Sequence, residues 1–123
     1  MKILYASSQV KKICTSEKAA QKHFGGDDGL VKALHAKIQA LNAAVSLLDI
    51  LLQPSFHLHP LMNKGRNKLK GYFAIDVKGR SNAWRIILQP LDDNQEPFAC
   101  TNIDEIAGIV RVVQIEQVSK HYE

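Results

Sequence analysis

Cysteine is scarce in this chain. Cys14 and Cys100 are the only two in 123 residues, and they form no CxxC pair or other partner pattern. A disulfide framework is therefore not expected, and the thiols read as free, as in a reducing compartment. Long apolar runs are also lacking. The longest, "AAVSLLDILL" over 43–52, is too short to span a bilayer and is interrupted by Asp49. The start, "MKILYASSQVKK", has only a brief apolar patch before polar residues, so no secretory leader is expected. GxGxxG, P-loop, HExxH and GxSxG motifs do not occur, nor does an internal repeat or a low-complexity tract. These absences leave a cytoplasmic protein with no membrane segment as the expectation.

The composition is that of a folded chain, with 46% apolar and 23% charged residues. Its length fits one domain over residues 1–123. The net charge is +4 and the pI about 9.1, which permits a polyanionic partner without requiring one. The charge is concentrated: residues 64–80 hold Lys64, Arg66, Lys68, Lys70, Lys78 and Arg80 against the single acid Asp76.

Residues 2–6 read as a short strand. Ser7 or Ser8 is placed to cap a helix running to about Phe24, with a break at Thr15–Ser16. After the loop "GGDDG" (25–29), Leu30, Leu34, Ile38, Leu41, Val45 and Leu48 recur at three- and four-residue steps. That spacing predicts a long amphipathic helix, capped by Asp27 or Asp28 and ending before Pro54. After Pro60 the period becomes two. Strands are expected over 69–77, 83–89 and 109–118, the first two joined by a turn at "KGRSN". Leu69, Phe73, Ile75 and Val77 would face the helices, and Lys68, Lys70, Tyr72, Ala74 and Asp76 the other side. Pro90 ends or edges its strand. The inward face of 109–118 stays open, because apolar residues occupy both parities. The expected class is α+β: two N-terminal helices packed on one face of a curved, mainly antiparallel sheet, with the other face carrying Lys70, Tyr72 and Arg85.

Four cations stand at alternate positions, Lys64, Arg66, Lys68 and Lys70. They suit either a solvated strand edge or a surface that tracks a phosphate backbone, and Tyr72 nearby could stack on a base. Arg85, between Trp84 and Ile86, needs an anion. Asp76 across the turn supplies one, and a substrate phosphate would be another. "HLH" (57–59) resembles half of a metal site, but no cysteine or acidic cluster completes it, so no metal is expected. A histidine beside a cationic surface suits acid–base work near neutral pH. "VSKHYE" (118–123) brings Lys120, His121 and Tyr122 together at the end of an apolar strand.

Taken in order, "KKICTSEKAAQKHFG", "HPLMNKGRNKLKGYFAIDV", "WRIILQP" and "VRVVQIEQVSKHYE" resemble the RelE/ParE toxin superfamily, in its HigB-like "killer protein" branch. The resemblance spans nearly the whole chain at the level of pattern: H-x-L, K-G-R, G-x-F-A-I-D-V, W-R-I. It implies a toxin of a type II toxin–antitoxin system, a ribosome-dependent endoribonuclease (an mRNA interferase) that cuts messenger RNA without metal or other cofactor. It further implies a HigA-like helix-turn-helix antitoxin as partner. Carried over, His59 is an acid or base, Arg85 faces the transition-state phosphate, and His121 and Tyr122 complete the catalytic set. Lys64, Arg66, Lys68 and Lys70 become RNA contacts. The chain departs from the pattern by inserting residues between Lys64 and Gly71, and by ending "KHYE" where relatives carry an Asp-Tyr-His-like triplet. Two alternatives remain: a ParE-like gyrase inhibitor, and a non-catalytic RNA- or ribosome-binding module.

Overall fold

The computed structural model describes residues 1–61 and 71–120. Among these, β1 (Lys2–Tyr5) is followed by helices α1 (Ser8–Thr15), α2 (Glu17–His23), α3 (Asp28–Ala43) and α4 (Leu48–Leu51), and by a 3₁₀ turn at Pro54–Phe56. Then come β2 (His59–Pro60), β3 (Phe73–Asp76), β4 (Arg85–Leu91), α5 (Ile103–Ile106), a second 3₁₀ turn (Ala107–Ile109) and β5 (Val112–Ser119). The class is α+β. The sheet has five strands in the order β1-β5-β4-β3-β2. It is mixed: β1 runs parallel to β5, and the other neighbours are antiparallel.

The expected first helix is two. Ser7 caps α1 by accepting from Val10 N, and Ser16 both closes α1 and caps α2 by accepting from Ala19 N. A serine that offers its own oxygen to the backbone starts a new helix more readily than it extends an old one. Asp27 caps α3 through Leu30 N at 3.1 Å. The long amphipathic stretch stops at Ala43, well short of Pro54. Leu30, Leu34, Ile38 and Leu41 are buried, but Val45 is 70% exposed. Asp49 Oδ2 accepts from Val45 N at 2.8 Å, so a local carboxylate takes an amide that the helix would have used.

The main core joins Val10 and Ile13 of α1, Ala20 of α2, and Leu30, Leu34, Ile38 and Leu41 of α3 to alternate residues of β3, β4 and β5. Phe73, Ile75, Ile86, Leu88, Val113, Ile115 and Val118 are the sheet's share. The change of parity between Ile115 and Val118 has a cause. Ile87 pairs with Gln117 and Leu88 with Ile115, leaving Glu116 as the extra residue of a β-bulge. One inserted residue flips the facing of everything beyond it, which is why Val118 faces the same core as Val113 and Ile115. Pro90 does not end β4, which runs on to Leu91. The register with β3 stops at Leu88, so the missing amide breaks no bond on that side.

The opposite sheet face, expected to be open, is closed at its centre. Ala74 and Ile87 are fully buried there with Leu61, and Tyr72 packs against them. Burial, followed by the Glu116 carboxylate, pushes the Tyr72 hydroxyl up from its usual range. Tyr72 is thus partly committed to packing against this cluster. All four residues of β3 are buried, the signature of a strand covered on both sides.

Burial also pushes the Cys14 thiol up to about 12. The native fold thus holds the Cys14 proton more tightly than the unfolded chain does. That contribution is fully present below the unfolded value of 9.0 and is lost as pH rises towards about 12. The expected outcome is alkaline loss of stability in urea titrations over that window, weakened in Cys14→Ala. Thiol labelling should modify Cys100, which is partly exposed, and leave Cys14 untouched until denaturant is added.

Candidate functional site

At the end of the sheet formed by β2, β3 and β4, two polar side chains, Arg85 and His57, converge on one buried carboxylate, and Lys37 and His59 bond the backbone beside it. Asp76, the last residue of β3, is 1% exposed and pairs in register with Arg85, the first residue of β4. Arg85 Nε donates to Asp76 Oδ1 at 3.2 Å. Its other donors turn to the β3–β4 connection: Nη1 to the carbonyls of Asn82 and of Trp84 (2.9 Å), Nη2 to that of Arg80 (3.3 Å). Of the two anions open to Arg85, the structure shows it on Asp76, and its side chain is 11% exposed.

His57 reaches the same oxygen, Nδ1 to Oδ1 at 3.2 Å. It closes the 3₁₀ turn that Pro54 begins, with left-handed backbone angles of φ 51° and ψ 49°. Lys37 of α3 ties this turn to β3. Its Nζ donates to the carbonyls of Ser55 (3.2 Å) and Asp76 (3.1 Å) and lies 4.4 Å from the Phe56 ring centre. Burial pulls the Lys37 amine below its ordinary range, and the Asp76 charge opposes that fall. Asp76 Oδ2, also buried, has no hydrogen-bond partner among the described residues.

His59 stands on β2 opposite Ala74. Its Nδ1 lies 2.7 Å from the carbonyl oxygen of His57, and the two imidazoles stack with centres 4.3 Å apart and planes 27° from parallel. A carbonyl oxygen only accepts, so Nδ1 of His59 carries the proton and Nε2 is the basic atom of the neutral ring. The same logic applies to His57, whose Nδ1 donates to a carboxylate oxygen. The arrangement presents two partly exposed imidazoles, each with its proton fixed on the inner nitrogen.

Of the residues expected from the sequence, the structure brings His59 and Arg85 into one neighbourhood, linked through His57 and Asp76. Ser119 pairs with Arg85, so β5 delivers the chain to the same end of the sheet. Lys120 lies there over Trp84, 5.6 Å from the ring centre, and Trp84 also packs against His23 and Phe24. His121 and Tyr122, and the four cations Lys64, Arg66, Lys68 and Lys70, lie outside the described residues. His57, Asp76 and Lys37 were not assigned to the site. For Asp76 the signal was a lone acid in an apolar strand, and for His57 its place two residues before His59. Nothing in the helix pattern marks Lys37. Among the described residues, no group of three or more His, Cys, Asp or Glu is placed to hold a metal ion, and no helix is long and apolar enough to cross a membrane.

No protein-family model matches the chain, and no curated protein or solved structure matches it either.

Proposed function

We propose that the protein is the toxin of a type II toxin–antitoxin system, a RelE/HigB-like endoribonuclease that cleaves ribosome-bound messenger RNA and is neutralised by a helix-turn-helix antitoxin. The observation that carries this reading is the state of His59. It is partly exposed, its Nδ1 proton is fixed by the His57 carbonyl, and its Nε2 is left as a base. In the proposed step Nε2 takes the proton of a ribose 2′-hydroxyl. The 2′-oxygen attacks the adjacent phosphorus, the bond to the 5′-oxygen breaks, and that oxygen takes a proton from a second acid. The products are a 2′,3′-cyclic phosphate and a 5′-hydroxyl. His121 or Tyr122 is the proposed acid, and Lys64, Arg66, Lys68 and Lys70 the proposed contacts to RNA phosphates. The +4 charge and the order of motifs support the same substrate class.

One observation favours a second reading, a binding module without catalysis. Four of the five N–H donors of Arg85 are taken up by Asp76 and three backbone carbonyls, which leaves its guanidinium little to offer a phosphate. Primer extension on ribosome-bound message separates the two. Wild-type protein is expected to give discrete breaks within the ribosome-bound codon, in buffer containing a chelator of free divalent metals other than the magnesium ribosomes need. Protection without breaks would establish the binding module. Inhibition of DNA supercoiling without message cleavage would place the protein with the gyrase inhibitors.

A further inference from the structure

Resting on the reading of His59 as the base, we infer that His57 is its positioning residue. The His57 carbonyl fixes which His59 nitrogen is basic, and the His57 ring, anchored on Asp76 and stacked on His59, fixes the plane of the imidazole. A non-glycine residue with φ 51° persists only where its surroundings over-determine it. Here they do so from four elements. Asp76 on β3 accepts from the His57 ring, and Arg85 on β4 fixes Asp76. Lys37 on α3 ties the carbonyls of Ser55 and Asp76 together. His59 on β2 stacks on the ring and donates to the carbonyl. The His57 amide, meanwhile, donates to Pro54 O at 3.1 Å. The left-handed turn aims the carbonyl at His59, and the side chain of the residue in that uncommon conformation is the one that holds it there. A histidine serving packing alone would be indifferent to the tautomer of its neighbour.

Two substitutions separate the ring from the backbone. His57→Gly keeps the carbonyl and tolerates positive φ but deletes the anchor and the stack. His57→Asn also tolerates positive φ and retains an amide that can donate to Asp76. Nitrogen-15 NMR of the histidine rings, at a pH where both are neutral, reads the His59 tautomer without reference to activity. Wild type is expected to show His59 protonated on Nδ1, His57→Gly a mixture of tautomers, and His57→Asn a return towards wild type. On ribosome-bound message, His57→Gly is expected to lose about tenfold to a hundredfold in kcat with KM unchanged, the scale of a misplaced reacting group, and His57→Asn to recover most of it. An unchanged tautomer in His57→Gly overturns the inference whatever the cleavage assay gives. So does a loss in kcat that His57→Asn fails to recover while its fold, by circular dichroism, is intact. If the tautomers behave as expected and wild type does not cleave, the ribonuclease reading falls while the positioning of His59 by His57 stands.

Discussion

Replacing Asp76 by alanine is expected to lower the unfolding free energy by about 3–5 kcal/mol, the cost of removing one partner from a buried ion pair. The carboxylate is 1% exposed and accepts from both Arg85 and His57. Its loss leaves a guanidinium in a protein-lined site without its counter-charge, and releases the His57 ring from its anchor. It also empties the buried volume that the carboxylate fills. Asp76→Asn should cost less. Asparagine keeps an acceptor at the Oδ1 position for both donors, and the atom it changes, Oδ2, has no partner among the described residues. What it loses is the charge, so the expected order is wild type, then asparagine, then alanine. Urea unfolding followed by Trp84 fluorescence measures this directly, because the chain has one tryptophan and it packs against Phe24 and His23. An alanine variant within about 1 kcal/mol of wild type, the range of an exposed ion pair, would mean that the pair is solvated and that its geometry does not hold this end of the sheet.

The same residue shows how much could be read from the sequence. Period-two alternation located β3 and β4, and the turn between them fixed their register, so Asp76 opposite Arg85 was legible as one of two outcomes. The helix pattern of α3 was legible up to Leu41. Its end was not, because it is decided by Asp49 reaching back to Val45, a local competition that apolar spacing does not record. The parallel pairing of β1 with β5 joins strands far apart in sequence, and no short-range signal specifies it. The closed second face was hidden for a related reason. Alternation reports which residues share a side, not whether something covers that side, and Ala74 is too small to mark its position as core. At the site, chemistry-bearing residues were visible by type. What joins them is a left-handed turn at His57 and a lysine from α3, and both are consequences of tertiary contacts.

His59→Ala is expected to reduce message cleavage by about 10²–10⁴-fold, the range for loss of a positioned general base, while changing stability by no more than about 1 kcal/mol, the net worth of one hydrogen bond. This split is the strongest demand the proposed function makes. His59 is partly exposed and stands on a two-residue edge strand. Its ring makes one hydrogen bond among the described residues, to a carbonyl that water can also satisfy. Removing it deletes the stack on His57 but leaves the Asp76–Arg85 pair, the His57–Asp76 bond and the main core in place. In cells, induced expression of wild type should arrest growth, and His59→Ala should relieve the arrest at equal protein level. His59→Gln serves as a second control: it retains bulk and a donor able to reach the His57 carbonyl, yet offers no nitrogen that accepts a proton near neutral pH. Equal loss in both variants assigns His59 to proton transfer. Activity restored by glutamine would reduce His59 to a binding contact and move the base to another residue. Arg85→Ala makes a poorer test, because a side chain that holds Asp76 and three carbonyls cannot be removed without loosening the strand pair it joins; an inactive Arg85 variant would leave chemistry and folding confounded, and His59 separates them.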